Sequence, residues 1–278
     1  MFSSAFDKAR TAMSTLAGAV ALASGLMAAG PARAVPVDLE LVLAVDVSGS
    51  VNTAEFQLQQ SGYSNAFRST EVINAITSGT IGSIAVALVY WSGVGEQTTA
   101  VDFALIDDAV SANAFADAID AAARPYSGQT NIVGALNYAA GLFSNNGFEG
   151  RQNTIDVSGD GTESEACLFF LSTCAPLQAA RDAALAGDVD VINAIAIDGP
   201  DFFGDGQAYY ENNVIGGPGA FAMTVSNFND FGAAIKTKIL NEIGTSVPEP
   251  KVFALFALAM AGLLLTRRRR GAVPQPSA

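Results

Sequence analysis

Two segments of this chain, Leu41–Val45 and Ile84–Trp91, are uninterrupted apolar runs rich in β-branched residues. A strand with one face in water alternates between apolar and polar residues, whereas a strand covered on both faces has no such alternation. Both segments are therefore predicted to be strands of a sheet that carries helices on its two faces. Further strands are predicted at 153–160, Val189–Ile197 and Ala220–Val225.

Segments with apolar residues at helical spacing lie between these strands. Helices are predicted after an Asn52 cap as far as Arg68, and at Ser111–Ala123, Asn131–Phe143, Ala175–Ala186 and Asn229–Ile243. Asn52 and Glu55 have the spacing of a capping box, and Ser111 is predicted to cap its own helix. Strands that alternate with helices predict an α/β fold: a doubly wound, mostly parallel sheet flanked by helices, with Thr99–Leu105 as one antiparallel edge strand.

The first predicted strand ends in Asp46-Val47-Ser48-Gly49-Ser50, which places three oxygen-bearing side chains two residues apart. In a tight loop these three side chains can turn toward one point, and Gly49 supplies the backbone freedom that such a turn requires. One carboxylate with two hydroxyls suits Mg²⁺, Mn²⁺ or Ca²⁺ and suits zinc poorly. Taken alone, the same pattern is also typical of an ordinary turn after a strand.

Two later segments change the interpretation of this loop. Ser127-Gly128-Gln129-Thr130 opens a predicted helix, and the strand at 153–160 ends in an acidic glycine loop. The three loops together resemble the von Willebrand factor A (vWA) domain and its metal-ion-dependent adhesion site. The resemblance implies a vWA fold and five metal-ligating residues: Asp46, Ser48 and Ser50 in the first loop, Thr130 in the second and Asp160 in the third.

The sequence also resembles one bacterial family of exported vWA-domain proteins of unknown function, DUF1194. The segments that carry the resemblance are LELVLAVDVSGSV, LVYWSG, IDVSGDG, INAIAID and YYENNVIGGPGAF, spread over nearly all of 38–243. In one departure from the family pattern, Thr162-Glu163-Ser164 follows the third loop and is expected to add negative charge beside the site. In the other, the segment 166–175 carries a pair of cysteines. This family name implies a fold and no activity.

The vWA resemblance implies a binding module that is not an enzyme. It would hold a divalent cation, Mg²⁺ in preference to Mn²⁺ or Ca²⁺, and an anionic oxygen of a protein or acidic polysaccharide ligand would complete the ion's coordination. Two alternatives stay open: a Mg²⁺-dependent phosphoryl-transfer enzyme with Asp46 as nucleophile, and a matrix protein in which the ion only stiffens loops. Against catalysis, the chain has no histidine, and Ser48 stands where such an enzyme is expected to have a second acid.

The acidic residues are concentrated in the middle of the chain. Residues 35–247 contain 25 of the 27 acidic residues but only six of the 14 basic ones, which gives a formal net charge of −19. Such a surface repels nucleic acid and anionic lipid, so neither is an expected partner. It also repels an acidic ligand at long range, so the metal would have to supply the local attraction.

The chain has two cysteines, Cys167 and Cys174, in the segment CLFFLSTC. In an oxidising compartment they are expected to form a local disulfide, although their spacing also allows two buried free thiols. A zinc site is disfavoured because the chain has no further cysteine and no histidine.

Both ends of the chain have the patterns of processing segments. Lys8 and Arg10 precede an apolar run of small residues that ends in Ala32-Arg33-Ala34, which predicts a signal peptide at 1–34 and an exported protein. The domain is then expected at 35–246. Near the other end, Pro248-Glu249-Pro250 precedes fourteen apolar residues, 252–265, and four consecutive arginines.

That C-terminal arrangement resembles the PEP-CTERM sorting signal, here at 247–270 and followed by a tail at 271–278. The resemblance implies a Gram-negative bacterium and recognition by an exosortase. Fourteen apolar residues are short for a span, but flanking basic residues can extend it, so a transient inner-membrane anchor is expected. The mature protein is expected at the cell surface or outside the cell.

Overall fold

The structure is a computed structural model of the chain and describes residues 33–168, 170–198 and 205–246. The predicted sorting segment, the tail and all but the last two residues of the predicted signal peptide lie outside these ranges. Within these ranges, no helix has the length and apolar composition needed to cross a bilayer.

A six-stranded sheet forms the centre of the domain. The strands are β1 (Val35–Val37), β2 (Leu39–Asp46), β3 (Ile84–Trp91), β4 (Gln97–Ile106), β5 (Phe148–Gly150), β6 (Asn153–Gly159), β7 (Val191–Ile197) and β8 (Ala222–Val225). The central sheet has the order β4-β3-β2-β6-β7-β8, and β1 pairs with β5 in a separate two-stranded sheet. β4 is antiparallel to β3, whereas the other neighbours in the central sheet are parallel. The predicted fold class and its antiparallel edge strand are therefore confirmed.

Helices cover both faces of this sheet. They are α1 (Thr53–Arg68), α2 (Thr70–Thr77), α3 (Ala109–Ala121), α4 (Ile132–Gly141), α5 (Ala175–Ala186), α6 (Gly206–Asn213) and α7 (Phe228–Ser246). All eight residues of β2 are buried, with Leu41 and Leu43 in the core under α1, α2, α3 and α7, and Val42 in the core under α4, α5 and α6. Because successive residues of a strand point to opposite faces, this one apolar run contributes to both cores.

Several predicted boundaries differ from the structure. Ser111 is not the cap of its helix, because α3 begins after Asp108, whose Oδ1 accepts from the Ser111 N–H at 2.7 Å. Ser111 Oγ in turn accepts from the Asp108 N–H at 3.0 Å, so the two residues form a reciprocal capping box in which Asp108 is the cap. The predicted helix at Asn131–Phe143 is shorter, since Asn131 is the cap of α4 and the helix ends at Gly141.

Other elements were confirmed or missed. The capping box of α1 is present as predicted, with Asn52 Oδ1 accepting from the Ala54 and Glu55 N–H groups. The strand predicted from Val189 begins at Val191, and the one predicted from Ala220 begins at Ala222. Sequence analysis did not predict α2, α6, β1 or β5. The fold places the ends of β2 and β6 next to each other, at the carboxyl edge of the parallel strands where ligands of such sheets bind.

Candidate metal centre

Three loops meet at the carboxyl ends of β2 and β6. Asp46 is the last residue of β2, and its Oδ1 accepts from the Ser48 N–H at 2.7 Å. The Ser48 and Ser50 hydroxyl oxygens are 3.1 Å apart. Ser50 Oγ donates to Asp160 Oδ1 at 2.7 Å, and Asp160 directly follows β6. A chain of short polar contacts therefore joins four of the five predicted site residues.

The fifth predicted residue, Thr130, lies on the segment before α4 and faces the third loop. A Cβ atom placed on Gly161 would lie 3.5 Å from Thr130 Oγ1. The first and second loops are also joined directly, because the Gly49 N–H donates to the Gly128 carbonyl at 2.7 Å. The structure thus brings all three predicted loops together.

Asp46 is held in an unfavourable environment for a carboxylate. Its side chain is fully buried, and Oδ2 accepts no hydrogen bond from the described residues. Burial, followed by the negative charge of Asp160, raises the pKa of Asp46 to about 8, while hydrogen bonds from Ser48 act in the opposite direction. No lysine or arginine in the described ranges forms an ion pair with Asp46. A cation between the two carboxylates would remove this electrostatic cost.

The donor set fits a hard divalent cation. Two carboxylates and three hydroxyls are oxygen donors of the kind that Mg²⁺, Mn²⁺ and Ca²⁺ accept. Among the described residues, no three side chains of the His, Cys, Asp or Glu type form a group that could hold a metal. Any ion at this centre therefore depends on Ser48, Ser50 and Thr130 as well as on the two aspartates.

Tyr210 of α6 lies beside the buried oxygen of Asp46, and sequence analysis did not identify it as a site residue. Its hydroxyl donates to the Gly161 carbonyl at 3.2 Å. A Cβ atom on Gly159 would lie 2.6 Å from Tyr210 Oη and 3.1 Å from Asp46 Oδ2, so this position requires glycine. Burial and then the charges of Asp46 and Asp160 raise the pKa of Tyr210 far above its usual value, which keeps the phenol protonated. The segment YYENN contains this tyrosine, but its helix was not predicted.

Glu163 and Ser164 attach the third loop to the second. The Ser164 N–H donates to the Thr130 carbonyl at 2.9 Å, and Ser164 Oγ accepts from the Thr130 N–H at 3.1 Å. The fully buried Glu163 carboxylate accepts from the N–H groups of Val133, Glu165 and Ala166 at 2.9, 2.9 and 3.0 Å. The charge expected beside the site is therefore directed at the positive N-terminus of α4 and at backbone N–H groups. Both residues hold the Thr130 loop in place.

Arg124 supports the first loop from the other side and was also not predicted. Its Nη2 donates to the carbonyls of Val47 and Ser48 at 2.9 and 2.7 Å, and its guanidinium lies 5.9 Å from the ring centre of Phe56. Nε donates to the Tyr126 carbonyl at 3.1 Å. These contacts fix the backbone that carries Ser48 and Ser50. No sequence pattern marks Arg124, because its three acceptors are backbone carbonyl groups.

The cysteine pair follows the third loop and is oxidised. Cys167 and Cys174 form a disulfide with an S–S distance of 2.08 Å. Asn213 at the end of α6 accepts from the Cys174 N–H at 2.8 Å and donates to the Ser172 carbonyl at 3.0 Å. The disulfide loop is thereby attached to the helix that carries Tyr210.

Solved structures with similar folds include several vWA domains. Proximal thread matrix protein 1 from the mussel byssus aligns with a TM-score of 0.55 and 18% identity, over 74% of this chain and 48% of that protein. A von Willebrand factor type A structure from Catenulispora acidiphila aligns with a TM-score of 0.53 and 15% identity, over 75% of this chain and 43% of that one. The vWF domain of the pilus tip protein Mfa5 from Porphyromonas gingivalis aligns with a TM-score of 0.52 and 13% identity, over 78% of this chain and 98% of that domain.

This chain thus spans only about half of the length of the mussel protein. At these identities the similarity shows the vWA fold and nothing finer. No curated protein sequence matches the chain. The family model described as "Protein of unknown function (DUF1194)" matches residues 36–247, which is most of the sequence, and the chain therefore belongs to the DUF1194 family, with a vWA-type fold.

Proposed function

We propose that this domain is a non-catalytic binding module that captures its ligand through a divalent cation. Asp46 and Asp160 would supply the negative charge that holds the ion, and Ser48, Ser50 and Thr130 would supply neutral oxygens. With Mg²⁺ as the first candidate and Mn²⁺ or Ca²⁺ as alternatives, the ion would offer a coordination position to an anionic oxygen of the ligand.

One observation carries this proposal: the buried Oδ2 of Asp46 accepts no hydrogen bond from the described residues, and burial, followed by the charge of Asp160, raises the Asp46 pKa to about 8. Buried carboxylates are normally satisfied by hydrogen bonds to both oxygens or by a counter-charge, and one with an unbonded oxygen and no counter-charge suggests a bound cation. The hydroxyls of Ser48 and Ser50, 3.1 Å apart, lie within the same chain of contacts.

Two of the similar structures agree with a surface-binding role. One structure of the mussel matrix protein is described as having a zinc-occupied adhesion-site motif, and another similar structure is the pilus adhesin SpaC from Lactobacillus rhamnosus GG. For this chain we propose a protein or acidic polysaccharide ligand at the cell surface or in the extracellular matrix. The disulfide suits an exported protein. Exosortase processing of 247–270 and the inner-membrane intermediate are part of the same proposal.

Phosphoryl transfer is the weaker alternative. An Asp nucleophile of that type works with an acid or base and a cation near the phosphate. The two lysines of the described residues are both on α7, where Lys236 pairs with Glu71 and Lys238 with Asp156 and Glu242. Position 48 provides a hydroxyl in place of a second carboxylate. The surroundings of Asp46 therefore favour ion binding over catalysis.

Thermal unfolding in EDTA and then in Mg²⁺, Mn²⁺, Ca²⁺ or Zn²⁺ tests the proposal, because a ligand that binds only the folded protein raises its Tm. The critical variant is Asp46→Asn, which keeps the shape of the side chain and removes its charge. Without metal it is expected to melt at or above the wild-type temperature, since a buried repulsion with Asp160 is gone. It is also expected to lose the response to ions. Asp102→Asn, at an exposed carboxylate on β4, is the matched control and should respond like the wild type.

Four outcomes distinguish the proposal from its alternatives. No Tm shift with any ion in the wild type would remove the basis of the proposal. A shift that persists in Asp46→Asn would locate the ion elsewhere. A shift in the wild type with no metal-dependent ligand capture would favour the purely structural matrix protein, and phosphate release from a generic phosphomonoester with Mg²⁺ would favour the enzyme.

A further inference from the structure

A groove of about 520 Å³ opens beside the first two site loops. It is lined by Glu96, Arg124, Pro125, Tyr126, Ser127 and Gly128. Its volume lies within the range of roughly 300–1,000 Å³ that is common for ligand clefts. The groove and the candidate metal centre share backbone, because the Gly128 carbonyl accepts from the Gly49 N–H, and the Ser48 carbonyl accepts from Arg124. A ligand bound at the ion would therefore extend over this groove.

The two charged residues of the groove are not equally free to contact a ligand. The hydrogen-bonding contacts of Arg124 are to the carbonyls of Val47, Ser48 and Tyr126. Glu96 is half-buried, and its Oε2 accepts from the Gly93 N–H at 2.9 Å. No basic side chain in the described ranges forms an ion pair with Glu96. The carboxylate is thus fixed in direction but has no counter-charge.

Glu96 lies against the loop that carries Thr130. Its Oε2 is only 2.2 Å from where a Cβ of Gly128 would lie, and Gly128 is two residues before Thr130. In an extended chain, residues one or two positions apart are roughly 3.5–7 Å apart. A ligand residue near the one that reaches the ion could therefore place its side chain at Glu96.

The charges decide which ligand class fits. A polyuronate chain carries a repeated negative charge and would meet both the Glu96 carboxylate and a domain surface with a formal net charge of −19. A protein segment can combine one carboxylate for the ion with a positive side chain for Glu96. We propose that the ligand is a protein segment with an acidic residue and, within two positions of it, a lysine or arginine that binds Glu96 in this groove. This inference rests on the proposed function.

A peptide library tests this selection directly. Pentapeptides with a fixed central Asp and random flanking positions are passed over immobilised protein in Mg²⁺ at low salt, and the bound fraction is sequenced. Wild-type protein should enrich Lys and Arg at the flanking positions roughly two- to five-fold, the effect of a partly exposed ion pair, and high salt should reduce the enrichment. Glu96→Gln should abolish it, because the amide oxygen can still accept from Gly93 but carries no charge. Asp102→Asn should retain it.

The outcomes distinguish this inference from the proposed function. If no ion raises the Tm of the wild type, the metal site itself is refuted. If ions bind but Lys and Arg are not enriched, or are enriched equally in Glu96→Gln, only the assignment of the groove is refuted. Metal-dependent binding of polygalacturonate in place of the peptides would overturn the choice of a protein ligand and leave the ion in place.

Discussion

Lys238 on α7 is the sole positive charge in a fully buried cluster with two acids. Its Nζ lies 2.6 Å from Asp156 Oδ1 on β6 and 2.5 Å from Glu242 Oε1 one turn further along the helix. All three side chains have 0% exposure. Replacing Lys238 with Met keeps most of the apolar stem and removes the charge. Two carboxylates are then left in the core without a cation.

The expected cost is large because removing one partner of a buried ion pair typically destabilises a protein by about 3–5 kcal/mol. For a domain of this size, each kcal/mol lowers Tm by roughly 2–4 °C, so Lys238→Met should lower Tm by about 6–20 °C. Lys236→Met is the matched control on the same helix. Its ion pair with Glu71 is 3.4 Å long and exposed, and such pairs contribute about 0–1 kcal/mol.

The pH dependence of the stability loss in Lys238→Met distinguishes the effect of the lost charge from the effect of altered packing. Burial, and then the charge of Asp156, raise the pKa of Glu242 to about 7 from an ordinary value of 4.5, and burial also raises the pKa of Asp156. A carboxyl whose pKa is higher in the folded state stabilises the fold below its unfolded pKa, and this contribution is lost as pH rises through the folded value. Lys238→Met should therefore lose much less stability at pH 5 than at pH 8.

Urea unfolding of both variants at the two pH values measures these differences. Adding Glu242→Gln to Lys238→Met should recover part of the stability at pH 8, because one of the two uncompensated charges is removed. Equal losses for Lys236→Met and Lys238→Met, or a loss in Lys238→Met that is the same at pH 5 and pH 8, would refute the view that charge dominates this cluster.

Two further variants test the surroundings of the candidate centre. Gly159→Ala should lower stability by about 1–3 kcal/mol through overpacking, since its Cβ would lie 2.6 Å from Tyr210 Oη, and adding Tyr210→Phe should restore most of the loss in a urea titration. Replacing both Cys167 and Cys174 with Ser should lower stability by about 2.5 kcal/mol, as expected from the entropy of a loop this short, and the same measurement on reduced wild-type protein should agree.

The strands and the candidate site could be predicted from the sequence because their signals are local. The run Leu41–Val45 is apolar without alternation, which by itself requires cover on both faces, and the oxygens of Asp46, Ser48 and Ser50 follow immediately. The contacts in the structure then join residues from separate loops, such as Ser50 and Asp160, that share an edge only because β2 and β6 are neighbours. The general α/β pattern places strand ends at that edge, but it does not predict which strands are neighbours, and the pairing of β2 with β6 is seen only in the structure.

The boundary errors have an equally local cause. Asp108 and Ser111 are both good capping residues, and either could begin α3 on propensity alone. The structure uses both, with each side chain bonded to the other's backbone N–H, and this places Ser111 inside the helix. The helix α2 was missed because it follows α1 after a single residue, Ser69, so two helices appeared as one helix and a loop.

The contacts that hold the site loops and the core in place could not be predicted from the sequence for a different reason. Glu163 and Arg124 bind backbone groups, and any sequence provides those, so no partner residue marks them. Lys238 is surrounded by residues of ordinary helical pattern, and only the packing of α7 on β6 shows that it is buried against Asp156. The candidate site residues could thus be identified from the sequence, whereas the residues that hold their loops in place could be identified only from the fold.

The two buried acidic pairs of this domain offer an internal comparison. Asp156 and Asp160 stand four residues apart on and just after β6, and each lies close to a second buried carboxylate. At the first pair, with Glu242, the chain supplies its own cation in Lys238. At the second, Asp46 has no lysine or arginine partner among the described residues and is joined to Asp160 through the polar contacts of Ser48 and Ser50. The core thus neutralises one acidic pair with an ammonium group of its own, and the proposed cation would play the same part at the other pair.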